Sequence, residues 1–266
     1  MLNITPIPAL NDNYFWLISH NSSSMAYVID PGDGETVQRV LDTQKLQLAA
    51  IFVTHRHYDH VDGITFLIEQ NQTSSHPIPV YGPDSSAIPH ITHPVGHEDS
   101  ISLYDAQYHL NVIATPGHTP EHISYYSNTM QTNPVLFCGD TLFAAGCGRL
   151  SGGSAEQLHD SLSLLAHLPD DTLVFCAHEY TLANLSFARA VEPNNHAITE
   201  RIALETAKQE QHIPTIPSRL SLEKQTNPFM RIQHASVQKA VEARWNTAYN
   251  TPHEIFTHLR LWKDNF

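Results

Sequence analysis

A chain of 266 residues is long enough to bury a substantial hydrophobic core in one large domain or in two unequal ones. Its content of 41 % hydrophobic and 15 % charged residues is typical of a soluble globular protein, and no apolar run approaches membrane-spanning length. The net charge of −13 argues against non-specific nucleic-acid binding, and it means that an anionic substrate needs a local cluster of the few basic residues.

The N-terminal sequence and the cysteines favour a cytoplasmic protein. Residues 1–6 lack the basic-then-apolar pattern of a signal peptide. The three cysteines are odd in number and show no short metal-ligand spacing, so we expect reduced thiols. We also expect a monomer.

The first strands and helix predict a β-α-β arrangement. Residues 2–30 are β-rich, and the run over 25–29 ends at the turn Asp30-Pro31-Gly32-Asp33. An amphipathic helix over 35–45 then leads into the apolar segment 48–53, which has the character of a buried strand. Asp30 is either a turn-forming aspartate or, if its strand neighbours 48–53, a residue close to the C-terminal end of that strand.

A histidine-rich motif comes directly after the 48–53 strand. It reads Thr54-His55-Arg56-His57-Tyr58-Asp59-His60, and apolar residues at helical spacing continue over 61–70. The motif therefore lies where a core strand ends and a helix begins, the usual place for ligands in α/β sheets. Three imidazoles and a carboxylate so close together are typical of a metal site.

Three later strand ends repeat this pattern. His118 follows the strand 111–115 in the turn Pro116-Gly117-His118-Thr119-Pro120, Asp140 follows the strand 134–138, and His178 follows the strand 173–176. His122 has ligand chemistry but falls outside the turn, and we interpret it as polar surface. The same interpretation applies to four histidines in polar segments with no usable periodicity: His76, His90, His93 and His97.

The composition becomes helical in the last third of the chain. A capping box at Ser154 begins a helix that leucines extend to Pro169. Two helices are predicted within 182–210, one over 234–246, and a last one from the cap and proline at Thr251 and Pro252. We expect an α/β (α+β) catalytic domain over residues 1–180 and a helical domain over residues 181–266.

The predicted donors suit two metal ions. Seven side chains exceed what one tetrahedral ion takes, and two divalent ions with a bridging carboxylate accommodate them. We assign His55, His57 and His118 to one ion and Asp59, His60 and His178 to the second, with Asp140 as the bridge. Such a pair can hold a hydroxide at neutral pH, positioned by Asp59 and Asp140, so metal-assisted hydrolysis is the expected reaction class. Zinc is the expected metal, with iron or manganese as alternatives.

These motifs resemble the metallo-β-lactamase superfamily, and within it the hydroxyacylglutathione hydrolase (glyoxalase II) family. The similar stretches, besides the T-H-x-H-x-D-H motif, are Asn11-Asp12-Asn13-Tyr14, Thr115-Pro116-Gly117-His118-Thr119, Cys138-Gly139-Asp140-Thr141, His178-Glu179-Tyr180-Thr181, Asn227-Pro228-Phe229-Met230-Arg231 and Arg260-Leu261-Trp262-Lys263-Asp264. The resemblance implies an αββα metallo-β-lactamase-like sandwich with a C-terminal α-helical domain. It also implies hydrolysis of S-D-lactoylglutathione to glutathione and D-lactate, the second step of methylglyoxal detoxification.

The resemblance further implies the substrate contacts. The glutathione moiety is expected to meet residues Arg149, Ser151, His178, Tyr180, Arg260 and Lys263. Arg260 and Lys263 lie three apart, hence on one helix face, where they can meet a carboxylate of the anionic tripeptide. Ser151 is a departure, because family members often carry an aromatic residue there, and serine cannot offer the same ring or reach.

Alternative functions remain open at this point. A glutathione persulfide dioxygenase of the same fold uses one iron ion, and a non-catalytic metal-bound scaffold would need only a closed four-ligand shell. Asp140 stands where true β-lactamases commonly carry a cysteine ligand, and the acidic composition disfavours a nuclease.

Overall fold

The computed structural model describes residues 2–72 and 77–266. They divide into two compact units, each of which combines separate stretches of chain. The N-terminal unit comprises the described residues of Met1–Ala114 together with Glu121–Gly139, and the C-terminal unit comprises Thr115–Pro120 together with Asp140–Phe266. The predicted domain boundary after Tyr180 stays a prediction.

The N-terminal unit contains two sheets. Strands β1 to β6 form the first sheet in chain order, with β1, β2 and β3 antiparallel and β3 to β6 parallel. Strands β7 to β10 pair antiparallel in sequence. The strands are β1 (Asn3–Ala9), β2 (Asn13–Ser19), β3 (Met25–Ile29), β4 (Gln47–Phe52), β5 (Val80–Gly82), β6 (His93–Pro94), β7 (Ser100–Leu103), β8 (Tyr108–Ala114), β9 (Ile123–Ser127) and β10 (Val135–Gly139).

Helices cover one face of the first sheet, and the second sheet packs on the other. Helices α1 (Gly34–Gln44) and α3 (Ile64–Asn71) share a hydrophobic core with β1 to β5. On the opposite face, Tyr125 of β9 contacts the Phe52 ring of β4 and donates a 2.8 Å hydrogen bond to the carbonyl of Val53. The unit is thus a helix–sheet–sheet stack, which supplies three layers of the predicted sandwich.

The C-terminal unit is mainly helical. Its elements are β11 (Leu142–Phe143), β12 (Gly146–Cys147), α4 (Ala155–Leu165), β13 (Leu173–Cys176), α5 (Thr181–Val191), α6 (His196–Glu210), β14 (Ser218–Arg219), α7 (Leu220–Thr226), a 3-10 turn (Pro228–Met230), α8 (Ala235–Trp245) and α9 (Pro252–Asp264). The predicted helices of this region are confirmed, whereas α7 was not anticipated, because it is only seven residues long.

Two helices differ from their predicted extents. The helix expected over 61–70 is split into α2 (Tyr58–Val61) and α3, because Gly63 lies against the β3–α1 turn and donates its N–H to the carbonyl of Pro31. Helix α4 ends at Leu165 rather than reaching Pro169, because the N–H groups of His167 and Leu168 donate to the carbonyls three residues earlier and continue the chain as tighter turns.

Several expectations about exposure are also resolved. Among the described residues, no helix combines the length and the apolar character needed to cross a membrane. The side chains of His90, His93 and His97 are exposed or partly exposed, as predicted, and His76 lies outside the described residues. All three cysteines are free thiols, and all three are buried.

Candidate active site

Parallel pairing of β3 with β4 places Asp30 beside the histidine-rich motif. Asp30 follows β3, Thr54 follows β4, and the ends of parallel strands meet at one edge of a sheet. The Asp30 carboxylate accepts hydrogen bonds of 2.7 Å from both the backbone N–H and the hydroxyl of Thr54. Of the two interpretations of Asp30, the structure therefore favours the residue that supports the motif.

Hydrogen bonds select the ring nitrogens that His55 and His57 present. The hydroxyl of Thr54 donates to Asp30 and lies 3.0 Å from Nδ1 of His55, so that nitrogen carries the proton. The unprotonated Nε2 of His55 then lies 3.0 Å from Nδ1 of His57. Nδ1 of His57 can donate a hydrogen bond to this nitrogen, and the same two nitrogens are close enough to share a cation in its place.

Asp59 and His60 are held by a second group of contacts. Asp30 lies 3.0 Å from Nδ1 of His60, which directs Nε2 of His60 toward the Asp59 carboxylate at 3.6 Å. The amide of Asn13 donates to the same carboxylate at 3.0 Å. Gly32 is required here, because a Cβ at this position would overlap the backbone of Asp59. The carboxylate–imidazole contact is the usual support of a metal-ligating histidine.

The prediction that His122 is a polar surface residue was wrong. Its side chain is only 1 % exposed, and its ring stacks on that of His55 with centroids 4.8 Å apart. The N–H of Ile123 donates to the carbonyl of Thr54, which brings the start of β9 against the motif. Strand β9, which begins directly after His122, was not predicted, and its contact with the motif is a long-range one that the local sequence does not display.

The C-terminal unit gathers the remaining predicted metal ligands around Asp140. Nε2 of His118 lies 3.4 Å from one carboxylate oxygen of Asp140, and Nε2 of His178 lies 3.3 Å from the other. Nδ1 of His118 donates to the carbonyl of Arg149 at 2.7 Å, which leaves its Nε2 as the available lone pair. Gly148 permits this arrangement, because a Cβ there would overlap the carbonyl of Asp140. One carboxylate that serves two imidazoles is what a bridging role requires, and that role stays a prediction.

A cavity of about 340 Å³ in the C-terminal unit adjoins these ligands. It is lined by His118, Asp140, Phe143, Cys147, Arg149, Tyr180, Ala183, Asn184, Arg260 and Lys263. Two of the predicted metal ligands, His118 and Asp140, and three predicted substrate-contacting cations thus share one cavity. Ser151 is not part of this lining, and its backbone N–H donates to the carbonyl of His118 at 2.7 Å.

Burial and neighbouring positive charges in this cavity lower the pKa of Lys263. Burial lowers the pKa of Lys263 below its ordinary value, and the positive charges of Arg260 and Arg149 lower it further. The ammonium also lies 5.4 Å from the centre of the Phe187 ring. A region where cations crowd together and depress a lysine pKa favours the binding of an anion.

Arg260 is more constrained than its place on the last helix suggested. It is only 3 % exposed, its guanidinium lies 5.0 Å from the centre of the Phe229 ring, and it donates to the carbonyl of Cys147 at 2.9 Å and to Asp264 at 2.9 Å. Arg260 therefore fixes the cavity wall in addition to carrying charge. Its contact with substrate stays a prediction.

Tyr180 packs directly on a predicted metal ligand. Its ring is nearly parallel to that of His178, with centroids 4.8 Å apart, and Phe143 meets both rings edge-on. Such packing holds the imidazole of His178 in one orientation. It leaves Tyr180 on the cavity wall, where the resemblance expects it to contact glutathione.

Two side chains, Asn227 and Glu223, hold the hairpin that follows Asp140. The amide of Asn227 donates to the carbonyls of Phe143 and Gly146, in β11 and β12 respectively. Glu223 accepts a 2.7 Å hydrogen bond from the N–H of Ala145 between these strands. The helical segment thus fixes the cavity wall that β11 and β12 form.

Comparisons with known proteins identify the family. Residues 13–178 match the metallo-beta-lactamase superfamily, and residues 179–266 match the hydroxyacylglutathione hydrolase C-terminus. Hydroxyacylglutathione hydrolase of Shewanella halifaxensis is 45 % identical over all of both chains. The hydroxyacylglutathione hydrolase of Aeromonas hydrophila is 46 % identical, also over all of both chains. The chain belongs to the hydroxyacylglutathione hydrolase family.

Solved structures agree with the fold of this hydroxyacylglutathione hydrolase family member. ETHE1 from Myxococcus xanthus is 26 % identical with a TM-score of 0.66, over 98 % of this chain and 90 % of its own. The BLEG-1 B3 metallo-beta-lactamase, 23 % identical with a TM-score of 0.59 over 86 % of this chain and 99 % of its own, shows the fold alone. The predicted α/β fold class with a helical C-terminal part is confirmed.

In this family member, the predicted metal ligands fall into two groups. His55, His57, Asp59 and His60 lie in the N-terminal unit, and His118, Asp140 and His178 lie in the C-terminal unit. All seven belong to clusters of metal-binding donor type. Within each unit, the ring nitrogens and carboxylate oxygens of predicted neighbours lie 3.0 to 3.6 Å apart.

Proposed function

We propose that this protein hydrolyses S-D-lactoylglutathione and related 2-hydroxyacylglutathiones to glutathione and the 2-hydroxy acid, the second step of methylglyoxal detoxification. One observation carries the proposal: metal-type donors and anion-attracting cations line the same cavity. Full-length relatives at 43–46 % identity bear the name hydroxyacylglutathione hydrolase, which supports this substrate class.

The donor set fits two divalent metal ions, most suitably zinc, with iron or manganese as alternatives. His55, His57 and His118 would hold one ion, Asp59, His60 and His178 the other, and Asp140 both. The fit rests on the tautomers, because His55, His60 and His118 each engage Nδ1 with the protein and leave Nε2 available. When bound, these ions would lower the pKa of a water molecule and polarise the thioester carbonyl.

The chain's own residues would bind and orient the substrate. Lys263 and Arg149 would meet a carboxylate of the tripeptide, with Arg260 adding charge from the wall. Tyr180 and His178 would place the peptide beside Asp140, while Asp59 and Asp140 would hold the attacking oxygen in position. The departing glutathione thiolate is a good leaving group, so the reaction needs no strong general acid.

The direct test is loss of the thioester from S-D-lactoylglutathione, with and without prior chelator treatment. We expect rapid hydrolysis that the chelator abolishes and added zinc restores. The absence of turnover by fully metallated protein would contradict the proposal.

Two alternative functions predict different metal content and different turnover by the same purified protein. A glutathione persulfide dioxygenase would carry one iron per chain and consume oxygen with glutathione persulfide, and a scaffold would bind metal without turning over either substrate. The relatives that match at full length with 43–46 % identity favour the hydrolase over both.

We propose further that the enzyme acts as a cytoplasmic monomer. Three free, buried cysteines are compatible with a reducing compartment. Size-exclusion chromatography with light scattering would test the monomer, and fractionation of cells would test the location.

A further inference from the structure

A second cluster of metal-type donors lies at the junction of α4 and α9. His159 and Asp160 belong to α4, and His253 belongs to the first turn of α9. Nδ1 of His159 lies 2.9 Å and Nε2 of His253 lies 2.8 Å from the same oxygen, Oδ1 of Asp160. None of these residues belongs to the seven predicted ligands of the active site.

The three donors converge because the side chains beneath them are packed. The His159 ring contacts Phe256 of α9 with centroids 5.5 Å apart and meets the His253 ring edge-on at 4.6 Å. The side chain of His159 is 12 % exposed, whereas those of Asp160 and His253 are 67 % and 40 % exposed. One ligand is thus anchored, and solvent reaches the open side of the cluster.

The chemistry of the donors suits a divalent transition metal ion. Hydrogen bonds from both histidines lower the pKa of Asp160, so its carboxylate is ionised at neutral pH. A bound ion would replace these two hydrogen bonds, and Nδ1 of His159 and Nε2 of His253 would then each turn a lone pair toward it. Two nitrogens and one oxygen, with solvent able to complete the shell, form an open zinc-type ligand set.

We propose that His159, Asp160 and His253 form a peripheral binding site for a divalent transition metal ion such as Zn²⁺, which joins α4 to α9. Helix α9 carries Arg260 and Lys263 of the cavity wall, so an ion here would restrain the helix that presents them. The site is independent of the proposed hydrolysis, since it uses no active-site ligand.

The test compares zinc binding by the intact protein and by His253→Gln, each first loaded with zinc and dialysed together against micromolar ZnCl₂. We expect the wild-type protein to retain one more zinc ion per chain than the variant, measured by elemental analysis. His196→Gln is the matched control, because it removes another histidine at a helix start in the same unit.

Thermal unfolding gives a second readout. Added ZnCl₂ should raise the midpoint of the dialysed wild-type protein and of His196→Gln, and it should raise that of His253→Gln and Asp160→Asn by less. Equal zinc content in the wild-type protein and the two histidine variants, together with equal midpoint shifts in all four proteins, would overturn the proposal, whatever the outcome of the thioester assay.

Discussion

Contacts at the Nδ1 atoms of His55, His60 and His118 determine that these rings offer Nε2 to the candidate site. Asp30 illustrates this, because its carboxylate contacts Thr54 and His60 and thereby controls Nδ1 of His60 directly and that of His55 through the threonine hydroxyl. A carboxylate in this position also increases the basicity of the imidazoles that it supports. Asp30 is therefore a positioning residue of the proposed metal centre.

Asp30→Asn should weaken zinc binding at the active site by about 10–100-fold, the usual effect of losing such a support. The amide NH₂ would face the N–H at Nδ1 of His60 and disturb the tautomer. Competition with a chromophoric chelator measures the affinity. Asp33→Asn is the control, because it makes the same charge change while asparagine can still cap α1. Equal zinc affinities in the two variants would contradict the assigned role.

Lys263→Gln should raise KM for S-D-lactoylglutathione about tenfold and leave kcat within about twofold, because one charge-assisted contact made in both ground and transition states is lost. Steady-state kinetics measures both constants. Lys239→Gln, which removes a positive charge from α8, should leave KM unchanged. A fall in kcat with unchanged KM would exclude a binding role for Lys263.

The lowered pKa of Lys263 adds a pH dependence. Because burial, Arg260 and Arg149 all lower this pKa, the ammonium loses its charge below the ordinary value of 10.5. KM of the wild-type enzyme should therefore rise as the pH is raised toward 10.5, and Lys263→Gln should lack this rise. Identical pH profiles of KM in the two proteins would show that the charge does not contribute.

At the scale of single elements, helix α4 supports the turn that presents His118. Ser154 begins the helix with a capping box, in which its hydroxyl accepts from the N–H of Gln157 at 3.1 Å and the Gln157 side chain accepts from the N–H of Ser154 at 3.0 Å. Further along, Ser161 donates to the carbonyl of Pro116 at 2.6 Å. The helix thus links a cap recognisable in sequence to the position of a predicted ligand.

Ser154→Ala should lower the free energy of unfolding by about 1 kcal/mol, because an orphan N–H of the first turn loses its acceptor. Urea denaturation followed by circular dichroism measures the change. Ser154→Thr keeps a hydroxyl at the cap and should lose less. If both variants lost the same stability, the cap would not be the cause.

At the scale of the whole molecule, the buried carboxylate of Glu192, which pairs with Arg231, makes the free energy of unfolding depend on pH. Glu192 is only 4 % exposed and accepts hydrogen bonds from the Arg231 guanidinium at 2.7 and 3.1 Å and from Ser236 at 2.6 Å. Burial raises the pKa of Glu192, but these contacts outweigh it and hold the pKa below the ordinary value of 4.5. A carboxyl with a lowered folded-state pKa stabilises the protein above the unfolded value and loses that contribution as the pH falls further.

The wild-type protein should therefore lose stability as the pH falls from about 4.5 toward the lower folded-state pKa of Glu192. Glu192→Gln should cost about 2 kcal/mol at pH 7, because Arg231 loses its buried charged partner, and the variant should lose less on acidification. Urea denaturation from neutral pH down to about pH 3 measures both effects. Glu210→Gln, at an exposed position, should follow the wild-type curve. A Glu192→Gln curve parallel to that of the wild type would contradict this account.

The local sequence was sufficient to predict where helices and strands lie and which side chains are of metal-binding type. Apolar runs that end in glycine and a ligand-type side chain predicted the strand ends before His118 and Asp140, and the caps at Ser154 and Thr251 predicted where α4 and α9 begin. These features depend on neighbours within a few residues, so a single chain displays them without any knowledge of pairing.

Only the tertiary structure decided which distant residues control these donors. Asp30 meets Thr54 across 24 positions, His122 stacks on His55 across a strand pairing, and Arg260 is fixed by the carbonyl of Cys147, 113 positions away. Each contact depends on how strands and helices pack, and side-chain chemistry alone does not specify that packing. The sequence by itself therefore determined which metal-type donors the chain carries and which of them follow strand ends, whereas the fold determined which nitrogen His55, His60 and His118 offer, because that choice is made by the groups packed against their Nδ1 atoms.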